Sequence, residues 1–294
     1  MTADSSKTRS THLRDMPSGD RHRQPFRAGA DWPFFVTSGV LGGGYVVLLL
    51  ALLAADVAST SRADLAAALT KPEILFAVRM TLVSCTLAAL LSLWVAVPLG
   101  YLLERFTFRG RGVVDAVLDI PVVLPPLVLG LSLLILFHLP LGGTTLEALV
   151  QRWLGVPVTY GPVAVVLAQF VVAAAFAIHS MRLTFARIDP RPEAIAMTLG
   201  CRRSQAFWRV AFPQAWRGMI AAFSIAWARS LGEFGPILVF AGATRMKTEV
   251  LSTTVFLELS VGRLEAAVAV SLLMVVASVI VLSVVRIVGG RVAG

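Results

Sequence analysis

Six stretches of about twenty apolar residues, separated by short polar segments, dominate this 294-residue sequence. A helix needs roughly 20 apolar residues to cross the hydrocarbon core of a bilayer, where it satisfies its own backbone hydrogen bonds. Only 15% of the residues are charged, against about 25% in a typical soluble domain. We therefore predict an all-α integral membrane protein with six transmembrane helices. The predicted spans are Pro33 to Ala55, Met80 to Leu103, Ile120 to Pro140, Gly161 to Met181, Met219 to Gly242 and Ala266 to Val288.

Basic residues are distributed unevenly between the two sides of the membrane that these spans define. The side with both termini and the loops after spans two and four carries 18 Lys and Arg residues, and the other side carries six. Because cytoplasmic loops are enriched in Lys and Arg, both termini are predicted to be cytoplasmic. The membrane also accounts for the net charge of +9, so we expect lipid, and not nucleic acid, as the anionic partner.

The chain divides into a polar N-terminal tail, residues 1–31, and a membrane domain, residues 32–294. We expect the tail to be cytoplasmic and disordered, and we assign it no function. The longest segment between spans, residues 182–218, leaves almost no chain for a soluble domain. The sequence also lacks a GxxxxGK[ST] phosphate-binding loop, so the chain is not predicted to be an enzyme. Any ATP hydrolysis must belong to another polypeptide.

Cysteine and histidine residues predict neither a metal site nor a cofactor. Cys85 lies in an apolar run and Cys201 in an Arg-rich loop, a placement that fits neither a disulfide framework nor a metal site. His138 and His179 are single residues near span ends, without a second ligand at a useful spacing.

The loop at about residues 185–217 is predicted to form two short cytoplasmic helices. Pro192 can begin the first helix, Glu193 favours its first turn, and Gly200 ends it. The second helix runs from Ser204 to Phe212, and Pro213 is expected to stop it.

Two functions fit this loop. In the first, it lies on the bilayer as an amphipathic connector whose arginines bind lipid phosphates. Alternatively, it is a protein-docking surface, which is favoured by small residues where a lipid anchor would prefer large apolar groups. These small residues are Ala194, Ala196 and Gly200.

Charged and helix-breaking residues occur together in span five. Arg229 and Glu233 are four residues apart, so they share a helix face and can form an ion pair. Gly232 and Gly235 lie close to Glu233, with Phe234 between the glutamate and Gly235, and Pro236 follows at once. Since Gly and Pro loosen a helix, we predict a gate or pathway constriction here.

Span three contains a second irregular segment. Pro121, Pro125 and Pro126 precede Gly130 within ten residues. Prolines remove backbone donors and bend helices, so the segment is either a passive kink or a part of the same gate. We include Pro125 and Pro126 among the candidate pathway residues.

Three segments together resemble a known family, the membrane subunits of ABC importers for molybdate and sulfate. Glu193-Ala194-Ile195-Ala196, followed by Gly200 and Pro213, resembles the EAA loop of these subunits. Residues 228–235 are similar to their fifth span, and residues 121–130 to their third. The similarity extends over roughly residues 80–288.

This resemblance implies a type I ABC importer permease that works as a dimer, most simply a homodimer, in a bacterial or archaeal inner membrane. Its EAA helix would fit a cleft in a cytoplasmic ATPase, and an extracytoplasmic solute-binding protein would deliver an oxyanion, with molybdate or tungstate favoured over sulfate. Arg229 and Glu233 would then either line the pathway or only compensate each other's charge. The residues that match the ATPase-coupling motif are Glu193, Ala194, Ala196, Gly200 and Pro213.

Two other classes of protein are less consistent with the sequence. A self-sufficient secondary transporter would favour an inverted repeat and membrane-buried carboxylates, of which only Glu233 is deeply placed. A membrane enzyme would need His, Asp or Glu residues clustered near one interface, and the sequence shows no such cluster. A permease for another small solute of the same superfamily also remains open.

Overall fold

The computed structural model describes residues 32–59 and 70–291, so the predicted tail, residues 1–31, lies outside the described residues. Two compact units are distinguished, with the division after Ala54. Helix α1, Trp32–Ser59, covers the first predicted span. Its 28 residues exceed the roughly 20 that a bilayer requires, and none of its side chains is buried.

The elements after α1 are numbered in chain order. The first seven are helices α2 (Pro72–Arg105), α3 (Arg111–Val123) and α4 (Pro126–His138), strands β1 (Pro140–Leu141) and β2 (Thr144–Thr145), and helices α5 (Leu146–Leu154) and α6 (Pro162–Arg187). The others are α7 (Arg191–Thr198), α8 (Arg203–Ala206), a π-helical turn (Phe207–Ala211), α9 (Phe212–Gln214), α10 (Trp216–Leu231), α11 (Gly235–Phe240), α12 (Leu251–Ser260) and α13 (Leu264–Arg291).

The prediction of an all-α membrane fold is confirmed. Helices α1, α2, α6 and α13 are each long and apolar enough to cross a bilayer, and the bent pair α3 and α4 makes a fifth candidate span. These elements correspond to predicted spans one, two, four, six and three. Within residues 32–59 and 70–291, β-structure is limited to the short antiparallel pair β1 and β2.

Helices α2, α6 and α10 form the largest buried cluster, and small side chains line their contacts. Ala89 of α2, Ala177 of α6 and Ala222 of α10 are fully buried. Gly100 of α2 approaches α6 so closely that a Cβ built on it would lie 2.8 Å from the Cβ of Met181. Because lipid is as apolar as the side chains, helices in a membrane associate through such close packing.

Span three is not a single helix. Its predicted limits, Ile120 to Pro140, are also wrong, because α3 already begins at Arg111. The chain bends by 115° between α3 and α4. The cause is the pair of adjacent prolines, since each disfavours the helical conformation at the residue before it. Leu124 and Pro125 accordingly have extended ψ angles of 140° and 134°, and α4 begins at Pro126.

Span five, predicted from Met219 to Gly242, is interrupted as well. Helix α10 ends at Leu231 and α11 begins at Gly235, with Pro236 in the first turn of α11. The helix, which Gly and Pro were expected to loosen, is therefore completely interrupted over residues 232–234.

The two interrupted spans contact each other through glycines. A Cβ built on Gly130 of α4 would lie 2.8 Å from the Cα of Pro236 in α11. A Cβ built on Gly235 would lie 3.1 Å from the backbone nitrogen of Leu127. The backbones of α4 and α11 are therefore in direct contact, and each interruption positions the other.

Replacing Gly130 with alanine is expected to destabilise the protein. The added methyl group would meet backbone atoms of Pro236, which cannot rotate away, and overpacking of this kind costs about 1–3 kcal/mol. Thermal unfolding of the purified protein in detergent measures the loss. Gly112→Ala in α3 is the control, because no described atom lies within 4 Å of a Cβ built there. Equal melting temperatures for the two variants would contradict the close contact.

Candidate functional site

Most of the predicted gate residues lie close together at the starts of α4 and α11, the second helices of the two interrupted spans. Pro126, the first residue of α4, has its Cβ 3.2 Å from the position of a Cβ on Gly235. Pro125 directly precedes this contact as the N-cap residue of α4. Phe234 packs its ring against Phe256 of α12, with 5.1 Å between centroids. Predicted residues from spans three and five are therefore brought together at one location.

Gly232 has a different position from the other gate residues. It is exposed, and a Cβ built on it would meet only carbonyl oxygens of the preceding turn, at 3.9 Å or more. It follows the last residue of α10 as the C-cap. The structure thus assigns the close backbone contact to Gly235 and Gly130, and Gly232 only ends the helix.

Arg229 and Glu233 form the ion pair that their spacing predicts. Nη1 of Arg229 lies 2.5 Å from Oε1 of Glu233. The two side chains differ in exposure, since Glu233 is 1% exposed and Arg229 is 32% exposed. The guanidinium group also lies over the ring of Phe176, 5.4 Å from its centroid. The carboxylate is thus enclosed, whereas the guanidinium group is partly exposed.

Two side chains that sequence reasoning missed satisfy backbone carbonyls at the interruption of span five. Oγ of Ser252 donates to the carbonyl oxygen of Glu233 at 2.7 Å, and Nε2 of Gln169 donates to that of Ser230 at 3.3 Å. Such partners are required where a helix ends within a membrane. Gln169 could have been noticed as a long polar residue within the apolar fourth span.

Glu193 of α7 is directed into the protein. Its Oε2 accepts a hydrogen bond from the hydroxyl of Tyr101 at 2.8 Å, and its Oε1 accepts one from Nε of Arg105 at 3.2 Å. Tyr101 and Arg105 both belong to the last turns of α2. The glutamate therefore joins α7 to α2, a contact that the sequence did not predict.

Other residues of the predicted docking motif face outward. Ala194 and Gly200 are exposed, and Ala196 is partly buried. Ile195 and Leu199 add apolar surface, with 59% and 81% exposure. Helix α7 therefore presents both small and large apolar side chains on its surface.

The prediction that Pro213 stops the second loop helix is wrong. The chain stays helical through α8, the π-helical turn and α9, which contains Pro213 near its start. The widened turn explains this result, because the backbone nitrogen of Phe212 donates to the carbonyl oxygen of Phe207, five residues earlier. Pro213 itself is exposed.

A group of charged residues around α12 was also missed by sequence reasoning. Arg245 and Arg263 both face Glu258, at 2.8 Å and 3.8 Å. Glu249 is 1% exposed, and burial raises its pKa. These residues line a cavity of about 220 Å³. Arg245 and Arg263 are 18 residues apart along the chain, so no local sequence motif indicated the cluster.

With this geometry in view, the comparisons with known proteins define the class of protein. The family described as "Binding-protein-dependent transport system inner membrane component" matches residues 96–294. The chain belongs to this family, and it is a membrane component of a binding-protein-dependent transport system.

Individual relatives match most of the chain. It is 30% identical to the sulfate transport system permease protein CysT of Escherichia coli over 240 residues, 81% of this chain and 84% of the relative. It is 31% identical to the molybdate/tungstate transport system permease protein WtpB of Pyrococcus abyssi over 72% of this chain and 79% of the relative. It is 37% identical to a probable molybdenum ABC transporter permease of Haloferax volcanii over 69% and 72%.

Solved structures share the fold. The chain matches a bacterial alginate ABC transporter, crystallised in complex with a periplasmic protein that holds an alginate pentasaccharide. The TM-score is 0.70, and the match covers 90% of this chain and 96% of that chain. At 16% identity this similarity establishes the ABC transporter membrane fold and nothing about the cargo.

Proposed function

We propose that this chain is the permease subunit of an ATP-driven importer of tetrahedral oxyanions, with molybdate or tungstate as the preferred cargo and sulfate as the alternative. The observation that carries the proposal is the similarity to relatives named for these anions. The identity is 37% to the molybdenum relative from Haloferax and 30% to the sulfate relative from Escherichia coli. The partly exposed guanidinium of Arg229 is chemically consistent with an anionic cargo.

The proposed assembly includes three kinds of partner. A cytoplasmic ATPase binds the outward surface of α7, an extracytoplasmic solute-binding protein delivers the anion, and a second copy of this chain completes the pathway. The periplasmic protein in the similar alginate transporter supports the second partner. The excess of basic residues on the side of both termini supports a cytoplasmic position for α7.

In this function, the interruption of span five is the movable part of the pathway. Residues 232–234 separate α10 from α11, so the two helices can change their relative angle without breaking a continuous helix. Glu233 lies within this interruption, and Arg229 lies in the last turn of α10 before it. A change in angle would therefore alter the accessibility of the guanidinium to the anion.

Uptake by the reconstituted transporter tests this function. The permease would be purified with its ATPase, inserted into liposomes and supplied with its binding protein and labelled molybdate. We expect uptake that requires ATP and is inhibited by unlabelled tungstate more strongly than by sulfate. Uptake without ATP would indicate a secondary transporter, and equal competition by all three anions would contradict the preference for molybdate and tungstate.

Removing both charges of the Arg229–Glu233 pair distinguishes a pathway role from mutual compensation. Arg229→Met with Glu233→Gln retains approximate volume, and removal of a whole buried pair is often neutral for stability. We expect the double variant to assemble normally and to lose about tenfold or more of its molybdate uptake, because a charge that meets the anion in a water-poor region is missing.

A matched control is the double variant Arg182→Met with Asp115→Asn. This pair has 2.8 Å between its charged atoms, and it joins α6 to α3, outside span five. We expect near-normal uptake by the control. If the Arg229–Glu233 double variant transported as well as this control, the pair would serve only to compensate its own charges.

Docking of the ATPase on α7 can be tested at Gly200. This residue has a φ angle of +92°, and no described atom lies within 4 Å of a Cβ built on it. Gly200→Trp should reduce the amount of co-purified ATPase about tenfold, by placing a bulky ring on the docking surface. Gly200→Ala is the control, since it has the same backbone strain without the bulk. Equal yields of ATPase with both variants would indicate a loop that contacts lipid instead.

A further inference from the structure

We propose that Arg105 and Tyr101 are positioning residues that fix α7 to the C-terminal end of α2 through Glu193, so that docking on the exposed face of α7 moves α2 directly. The proposal rests on the function proposed above, in which α7 is the ATPase-binding element. It assigns Glu193 a role within the permease, and not a contact with the ATPase.

The first observation is that both oxygens of the Glu193 carboxylate are already bonded within the chain. Tyr101 donates to Oε2 at 2.8 Å and Arg105 donates to Oε1 at 3.2 Å. Only 7% of the glutamate side chain is exposed. Charge-assisted hydrogen bonds to a carboxylate are among the stronger ones in proteins, so an incoming partner would have to displace them to reach Glu193.

The second observation is that Arg105 bonds to two separate segments. Its Nε donates to Glu193 in the first turn of α7, and its Nη2 donates to the carbonyl oxygen of Ile188 at 2.8 Å. Ile188 is the C-cap residue of α6. One planar guanidinium therefore fixes the ends of α2 and α6 and the start of α7, an arrangement that suits its rigid fork of donors better than the point charge of a lysine.

The third observation is the aromatic packing around Tyr101. Its ring centroid lies 5.4 Å from that of Phe185 in α6 and 4.7 Å from that of Phe207 in the π-helical turn. Aromatic contacts at these distances add packing energy to the hydrogen bond of the hydroxyl. The attachment thus extends from α7 to the second loop helix.

The surface that remains for docking is apolar. Ile195 and Leu199 are exposed on α7, whereas Glu193 on the same helix is 5% exposed. This division assigns contact with the ATPase to the apolar residues and attachment to the glutamate. Movement of the docked helix would then be transmitted to α2 through Arg105.

The test compares Arg105→Gln with Arg109→Gln in the complete transporter. Arg109 lies in the loop that follows α2 and is exposed, so its replacement controls for the loss of one positive charge. Arg105→Gln should retain co-purified ATPase within about twofold and lose about tenfold of ATP-driven uptake, because the attachment fails while the docking face persists. Uptake equal to that of Arg109→Gln would overturn the proposal.

Glu193→Gln separates attachment from direct docking. If Glu193 only holds α7 in position, this variant should resemble Arg105→Gln, and the double variant should be no worse than either single variant. If Glu193 instead contacts the ATPase, Glu193→Gln should lose the co-purified subunit while Arg105→Gln retains it. That result, or multiplication of the two losses in the double variant, would overturn the proposal.

Tyr101→Phe and hydrogen exchange provide a measurement that does not depend on transport. The phenylalanine retains the ring contacts and removes one donor to Glu193. In the purified complex, amides of residues 190–200 should exchange faster in both Tyr101→Phe and Arg105→Gln, with those of α6 before its last turn unchanged. Unchanged exchange in both variants would refute the attachment. Absence of ATPase from the wild-type preparation would instead refute the proposed function itself.

Discussion

The direct contact between the backbones of α4 and α11 is the constraint on which the membrane region depends. A helix can be interrupted within a membrane only where protein satisfies and encloses the exposed backbone groups. Here the absence of side chains at Gly130 and Gly235 lets the two interrupted spans meet. Gln169 and Ser252 then donate to carbonyl oxygens at the end of α10 and just after it. The interruptions are therefore built into the packing of the protein.

The same location concentrates the electrostatics of the membrane region. An unpaired charge near the centre of a bilayer costs about 2.5–3.5 kcal/mol on insertion scales. Arg229 and Glu233 avoid this cost by pairing across the end of α10, next to the contact between α4 and α11. Because the guanidinium is partly accessible and the carboxylate is enclosed, the pair presents a positive charge to the surroundings. The helix interruption and the ion pair thus lie in one segment, and the movement proposed for this segment would change both.

Sequence reasoning predicted the elements better than the contacts between them. Apolar length predicted the spans, and the four-residue spacing predicted the Arg229–Glu233 pair, because both signals are local. The pair of prolines predicted a kink, but not the angle of 115°, which depends on the packing of α4 against α11. The partners of Glu193 lie 92 and 88 residues away along the chain, so no local pattern indicated them. The same limit applies to the charged cavity at Glu258.

The packing of α2 determines where a movement of α7 can have an effect. Close contacts such as that between Gly100 and Met181 join α2 to α6, and the buried alanines extend this packing to α10. Well-packed helices shift as units and do not deform continuously. A displacement of α2 would therefore also move α6 and α10. This movement would not continue as a rigid unit past residues 232–234, where span five is interrupted. In the proposed function, the change in geometry would thus be concentrated beside Arg229, where the anion would meet its charge.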